Sequence, residues 1–537
     1  MKYFLISIGG TGARCLEAFV HMNAAGLMKS NDEINVIYVD SDETNGHLKN
    51  AKEAVKLYKE AYNCMSQKGD NAKFFKNALF DSEKEKDSEK EKANFWNPIR
   101  SDAGSNTSMS EIFSKASMSK DADNLNYLFD ILFDKEEQEV DLIKGFKAHP
   151  DIGAAVIADK MNLDTAGTVW QKMVEKIQNE SVKIFFFGSV FGGTGAAGFP
   201  NIARIVKKEL EDRRITGERV KMAGCLMLPY FIIPKDDKSK EIEPEGDKFD
   251  PNTFAALNYY NTNSVVGDIY DVVYFLGDEK RYHLEKFASG NEEQGDKEEG
   301  EYRPHFLEMF AALAALDFFN RDDEPETKCY MYSLNNENFD WRDLPVVHDG
   351  CDMENKLKTF IRMAYMYRTM VFSKLMECQK DNSKLITNSW IDSYFSSADE
   401  KGTDVLHQYE NQIKVFKEYC VLFLKWLEGF TYSSEDKHAS ELRCGNIINN
   451  NFTDDKGRSS FYSYDDKLSY EDNRNKKKVI KPQDIFLDEQ VHPPYDDTKK
   501  SFFQKMIKKA DLDKNNPGIV GVRGLVSMIY DVSEGKV

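Results

Sequence analysis

No run of about 18 apolar residues occurs in the chain, so no membrane-spanning helix is expected. An excess of basic charge is also missing. Lys and Arg number 72 against 91 Asp and Glu, which leaves a net charge of −19. Nucleic acid backbones and anionic lipid surfaces both call for a basic footprint, so direct binding to either is not expected. Cysteine is sparse and scattered at 15, 64, 225, 329, 351, 378, 420 and 444, with no CxxC pair. That spacing argues against a zinc site and a disulfide framework. A secretory leader is not expected either. Met1-Lys2-Tyr3-Phe4-Leu5-Ile6 has one positive charge and an apolar run that meets glycines at once, so the expected location is cytoplasmic. No internal repeat is visible, and no glycine loop carries the Lys-Ser/Thr of a Walker A motif.

The chain does have enough apolar sequence for more than one core. It is 41% hydrophobic over 537 residues, which suggests roughly three to four structural units. Short apolar runs at Tyr3–Ile8, Ile34–Val39, Val182–Phe187, Met222–Leu228 and Val272–Leu276 read as strands. Helical spacing follows the first (Cys15, Leu16, Phe19, Val20, Met22) and the third (Ile202, Ile205, Val206, Leu210). Strands alternating with helices predict an α/β fold with a mostly parallel, Rossmann-like sheet flanked by helices. Phe306–Phe319 reads as a helix buried nearly all round, and the chain beyond 350 as largely helical. Residues 50–140 are rich in Lys and Glu. Glu83–Lys92 is almost wholly charged and reads as a solvated helix or a linker. Residues 284–302 read as an acidic loop.

Two glycine loops sit at strand–helix joins: Gly9-Gly10-Thr11-Gly12-Ala13-Arg14 and Gly192-Gly193-Thr194-Gly195-Ala196-Ala197-Gly198. Glycine lets the backbone turn tightly with its N–H groups inward, and a helix N-terminus adds partial positive charge. Together these make a phosphate cradle. The alternative for each is a plain tight turn.

The second loop resembles the GGGTGSG signature of the tubulin/FtsZ superfamily, and other segments resemble that family's loops in the same chain order. Gly9–Arg14 stands where the first phosphate loop stands. Val39-Asp40-Ser41-Asp42 resembles the Asn-Thr-Asp turn after the second strand. Lys147-Ala148-His149-Pro150-Asp151-Ile152-Gly153 resembles the loop that approaches the terminal phosphate, with His149 in place of Asn. Asn338-Phe339-Asp340-Trp341-Arg342-Asp343-Leu344 resembles the acidic loop that follows the central helix. Asp271–Asp278 resembles the strand and turn before that helix. The charged insertion and the helical C-terminal half depart from the family's pattern, which suggests a divergent prokaryotic member.

The resemblance implies a layout. Residues 1–302 would form the nucleotide-binding domain, with the charged insertion at about 50–140. Residues 303–320 would be the central core helix. Residues 321–430 would be a divergent activation-type domain holding the loop 338–344, and 431–537 a polar extension. It also implies GTP or GDP with Mg²⁺. Gly9, Gly10, Thr11, Gly12, Ala13, Arg14, Asp40, Asp42, Ala148, His149, Pro150, Gly192, Gly193, Thr194, Gly195 and Ala196 would line the nucleotide. Asp42 would hold Mg²⁺ through water, or else serve as a helix cap. Phe306 would stack on the base or pack in the core, and Asn261 or Glu308 would bond the base edge. Asp340 and Asp343, with Asn338 beside them, would enter the next subunit's pocket and position the attacking water; the alternative is a cap and a surface acid. The protein would then assemble head-to-tail into filaments. Its insertion or C-terminal half could also recruit a partner protein. Two other readings remain open: a tubulin-like nucleotide switch that does not polymerise, and a Rossmann NAD-dependent enzyme using Asp40 on the ribose. The last gives the second glycine loop no role.

Overall fold

A computed structural model describes residues 1–65, 72–84, 91–99, 108–117, 123–142, 145–146, 149–165, 167–177, 180–232, 249–279, 281–283, 304–322, 328–332, 341–345, 351–395, 403–430, 465, 468, 470–476, 485–486, 502–513 and 520–535. Its core is a parallel sheet of eight strands: β1 (Lys2–Ile8), β2 (Ile34–Val39), β3 (Leu79–Phe80), β4 (Phe95–Trp96), β5 (Val182–Ser189), β6 (Val220–Met227), β7 (Val272–Leu276) and β8 (Lys328–Tyr332). The spatial order is β8-β7-β6-β5-β1-β2-β3, with β4 also pairing with β2. From β1 the chain winds outward to β2. From β5 it winds the other way, through β6, β7 and β8. The boundary between β1 and β5 is therefore the topological switch point of the sheet.

The helices that flank this boundary are α1 (Gly9–Ala24), α2 (Gly46–Met65), α3 (Pro150–Lys160), α4 (Gly193–Asp212) and α5 (Phe306–Asn320). Successive strand side chains point to opposite faces. Phe185 meets Phe318 and Phe319 of α5, whereas Phe186 meets Phe199 of α4. The central helix and the second glycine-loop helix thus lie on opposite faces. Helix α5 is buried at every position but Asp317, as its apolar sequence predicts. Its C-terminal end is held by Lys183 of β5, whose Nζ donates to the carbonyls of Phe318, Phe319 and Arg321.

Beyond residue 350 the described chain is helical, including α6 (Met353–Met366), α7 (Glu410–Glu428), α8 (Phe502–Asp513) and α9 (Gly521–Ser533). This half docks on α1 and α2 through aromatic contacts. His21 of α1 packs 4.8 Å from Trp426, and Tyr58 of α2 6.3 Å from Tyr419. No helix among the described residues is long and apolar enough to cross a membrane.

The structure adds detail to the sequence reading at three places. Strand β8 lies within the stretch read as an activation-type domain, yet it is the eighth strand of the main sheet. The charged stretch begins with α2, whose Leu48, Ala51, Val55, Tyr58 and Ala61 are buried against α1 and α7. At the ends of Glu83–Lys92, residues 82–84 pair with 91–93 in an antiparallel ladder, while 85–90 lie outside the described residues. The acidic loop 284–302 lies outside the described residues, apart from strand-paired Tyr282 and His283 beside it.

Candidate functional site

Both glycine loops sit at the C-terminal ends of the two strands that flank the switch point. The first opens α1 directly after β1, and Gly9 has φ +70°, a conformation that favours glycine. The second follows β5, with Gly192 capping α4 and Gly193, Thr194, Gly195 and Ala196 forming its first turn. The two loops touch: a Cβ on Gly9 would lie 3.3 Å from Thr194 Cβ and 3.5 Å from the backbone N of Gly195. Neither helix N-terminus has a side-chain cap, and neither carries an acidic residue in its first turn. The first N–H groups of both helices therefore lack helical partners at one place, which is the arrangement that holds an anion.

Local packing fixes these loops. A Cβ on Gly12 would fall 2.9 Å from the Phe187 carbonyl oxygen, and one on Gly195 2.8 Å from the backbone N of Ser189. Each helix thus presses directly on strand backbone. Pro200 lies inside α4 and cannot donate to the carbonyl of Ala196. The Tyr260 hydroxyl donates there instead, at 3.1 Å.

The turn after β2 supplies the acids. Asp40 is buried; its carboxylate accepts from the Asp42 amide at 3.1 Å and from Asn45 Nδ2 at 3.4 Å. Burial pushes the Asp40 carboxyl up to about 7, despite the amides of Asp42 and Ser41. Asp42 Oδ1 accepts from Thr44 N at 2.9 Å and Thr44 Oγ1 at 2.7 Å, so it stabilises its own turn and does not cap α2 directly. Asn45 and His47 lie beside Gly10. Burial, reinforced by the Arg14 charge, holds the His47 imidazole down to about 3, so it stays neutral. The buried Ser41 hydroxyl has no hydrogen-bond partner among the described residues. His149 and Pro150 open α3, which packs along α4; a Cβ on Gly193 would fall 2.7 Å from Phe146 Cβ, just upstream of His149.

Arg14 and Glu308 behave differently from the sequence reading. Both are buried, and Arg14 Nε donates to Glu308 Oε1, which also accepts from the Tyr230 hydroxyl at 2.9 Å. Glu308 Oε2 accepts from the His305 amide at 3.1 Å. Burial raises the Glu308 carboxyl, opposed first by Arg14. The Glu308 carboxylate is thus spent within the fold, joining α1 to the start of α5, and is not open toward a base edge. Phe306 is buried between His305 and Phe310, while Asn261 is exposed. Sequence reasoning missed the Arg14–Glu308 pair, Tyr230, Asn45 and His47. Its one signal was a lone carboxylate in the otherwise apolar run Phe306–Leu316, where a buried acid needs a partner.

The remaining sites separate. Ala148, Asn338 and Asp340 lie outside the described residues. Asp343 belongs to the 3-10 turn Trp341–Asp343, and its carbonyl accepts from the Tyr332 hydroxyl at the C-terminal end of β8. Three strand spacings separate β8 from β5, roughly 14 Å at about 4.8 Å each.

The residues present fit a nucleoside phosphate with a divalent ion. The two helix N-termini would meet the phosphates. Asp40 and Asp42 are hard oxygen donors suited to Mg²⁺ held partly through water. Arg14 would add little net positive charge, because Glu308 already neutralises it.

Comparison with known proteins gives one result. Residues 132–343 match the family model described as "Tubulin like". That stretch holds α3, the second glycine loop and the 341–343 turn, and leaves the first glycine loop outside. No curated protein and no solved structure matches the chain. The order of motifs, the switch-point position of the glycine loops and the family match agree on one point: residues 132–343 are similar to the tubulin-like family.

Proposed function

We propose that this protein binds GTP with Mg²⁺ in the crevice between β1 and β5 and hydrolyses it. The single observation that carries the reading is the convergence of two uncapped glycine-loop helices on the switch point of a parallel sheet. Gly9–Ala13 and Gly192–Ala196 would cradle the phosphates, and Asp42 and Asp40 would hold the ion. His149 and Pro150 stand at the terminal-phosphate side. GTP, in preference to ATP, is the family's implication. Hydrolysis by positioning and charge neutralisation needs no covalent residue. In the tubulin-type arrangement a second copy supplies Asp340 and Asp343, so turnover depends on head-to-tail assembly into filaments. Calorimetry with GTP and ATP, followed by sedimentation with GTP, GDP and a non-hydrolysable analogue, tests binding, base choice and assembly in turn. Equal affinity for the two triphosphates removes the guanine assignment.

A second reading, a nucleotide switch that recruits a partner without polymerising, is favoured by one observation. Trp341 is buried against Phe486, with Lys358 over both rings, so the acidic turn is packed into its own subunit. A monomer at high concentration with analogue and Mg²⁺ would select this reading.

A further inference from the structure

A second cluster of ligating side chains lies at the start of α3, beside the second glycine loop, and includes His149. Glu137 sits on the short helix Lys135–Glu139, while His149 and Asp151 begin α3. One ligand atom from each lies within 4.8 Å of the other two, and His149 Nδ1 is 3.5 Å from Glu137 Oε1. We propose that Glu137, His149 and Asp151 form a binding site for one divalent transition-metal ion of the Zn²⁺ or Mn²⁺ class, distinct from the ion that accompanies a nucleotide.

Three observations carry this. The first is the donor set. One imidazole with two carboxylates suits borderline ions, whereas Mg²⁺ and Ca²⁺ are held by oxygen. The second is charge. Two carboxylates converge here, and among the described residues neither has a Lys or Arg ion-pair partner. Like charges this close repel, and a divalent cation reverses the sign of that contribution. The third is independent support of the ligands. Glu137 Oε2 accepts from the Asp134 amide at 2.9 Å, and Asp134 Oδ1 accepts from the Glu137 amide at 2.8 Å, which leaves Oε1 directed at His149. The His149 amide donates to the Phe146 carbonyl at 2.7 Å, and its carbonyl accepts from the Gly153 amide at 3.2 Å. Metal–ligand bonds of about 2.0–2.2 Å place neighbouring donors roughly 3–3.5 Å apart, so rotation of the exposed Asp151 side chain is enough to close the site.

The site also has a route to the glycine loop. Phe146, three residues before His149, lies against both Gly153 and Gly193. An ion at His149 therefore fixes the entry to α3 where it borders the first turn of α4.

The test uses the full chain, freed of any affinity tag and without nucleotide, so that it is independent of the GTP reading. Zn²⁺ titration by calorimetry should give one site, and Glu137→Gln and His149→Gln should each weaken it by at least about tenfold, as even outer-shell losses do. Circular dichroism and melting show whether each variant is folded. Undiminished Zn²⁺ affinity in both folded variants overturns the proposal, as does absence of a one-to-one site in the parent protein. Should a variant not fold, the Co²⁺ spectrum of the parent decides. Ligand-field bands without thiolate charge transfer support the His-carboxylate set, and a thiolate band assigns the metal to cysteines and overturns it. Loss of GTP binding with Zn²⁺ binding intact would remove the nucleotide reading and leave this site standing.

Discussion

Replacing Asp40 with Asn tests the electrostatics of the crevice at one isosteric position. Burial moves the Asp40 carboxyl from its ordinary 3.8 up to about 7. A change of that size corresponds to on the order of 4 kcal/mol between the protonated and ionised forms of the folded protein. The sign follows from linkage. The folded-state value lies above the unfolded one, so the fold favours the protonated acid. That contribution is full below about 3.8 and is lost as pH rises through about 7. Asparagine mimics the protonated form at every pH. It keeps an acceptor for the Asp42 amide but loses the acceptor facing Asn45 Nδ2, at a cost of about 1 kcal/mol. At pH 8 the Asp40→Asn protein should therefore be more stable than the parent by about 3 kcal/mol, and below pH 4 slightly less stable, by about 1 kcal/mol. The two melting curves should cross in between. Scanning calorimetry across pH 4 to 8.5 gives the difference in melting temperature, in which every titrating group common to both proteins cancels. A difference that stays constant with pH refutes the reasoning, because it means that Asp40 titrates as an ordinary surface acid. Added Mg²⁺ with GTP should stabilise the parent at pH 8 more than the variant, since only the parent has the charge to neutralise.

Other substitutions have outcomes set by the same geometry. Gly192→Ala places a methyl near only Ser189 Oγ, at 3.1 Å, and should fold while weakening GTP binding at least about tenfold, by displacing a phosphate from the cradle. Gly193→Val meets Phe146 Cβ at 2.7 Å and should cost about 1–3 kcal/mol or more, so melting must be measured before its binding is interpreted. Arg14→Ala or Glu308→Leu leaves a buried charge unpaired and should destabilise by about 3–5 kcal/mol, whereas Arg14→Met with Glu308→Leu should recover much of that loss in a thermal melt. Phe486→Ala should cost about 3–5 kcal/mol, red-shift tryptophan emission and speed proteolysis near Trp341; an unchanged cleavage rate would mean that this ring does not hold the 341–343 turn.

The parts of the fold legible in the sequence are those whose signal is local. Strands β1, β2, β5, β6 and β7 are largely buried on both faces, so each reads as a mostly apolar run ending at a turn. The glycine loops announce themselves because only glycine permits their contacts. Strand β8 is an edge strand with Met331 and Cys329 exposed; its apolar run Cys329–Tyr332 is only four residues long and lies between polar stretches, so its signal is weaker than that of the buried strands. Helix α2 was obscured by composition: its outer face is Lys- and Glu-rich, and only the spacing of Leu48, Ala51, Val55 and Tyr58 marks the buried side. The Arg14–Glu308 pair joins residues 294 positions apart, and nothing in a single sequence links them.

Strand β8 also bears on how subunits could meet. Sequence order places the acidic motif directly after the central helix, which puts the glycine loops and that motif at opposite ends of α5. A head-to-tail repeat along such an axis carries each acidic loop into the next pocket. Here the central helix runs back to the N-terminal edge of the sheet, where Asn320 bonds the Leu27 carbonyl and the Lys29 amide. Parallel β8 then returns the chain to the C-terminal edge, and the Tyr332 hydroxyl fixes Asp343 there. Asp343 and the glycine loops therefore share one edge of the sheet. Translation of a copy along the strand direction moves both features together and does not bring one onto the other. A contact that delivers Asp343 to a neighbouring pocket must include a lateral shift or a rotation between copies. Filaments with a simple axial repeat should then be insensitive to Asp343→Ala, while a lateral or rotated contact should lose turnover on the same substitution. Electron microscopy of the repeat, paired with the GTPase rate of that variant, separates the two cases.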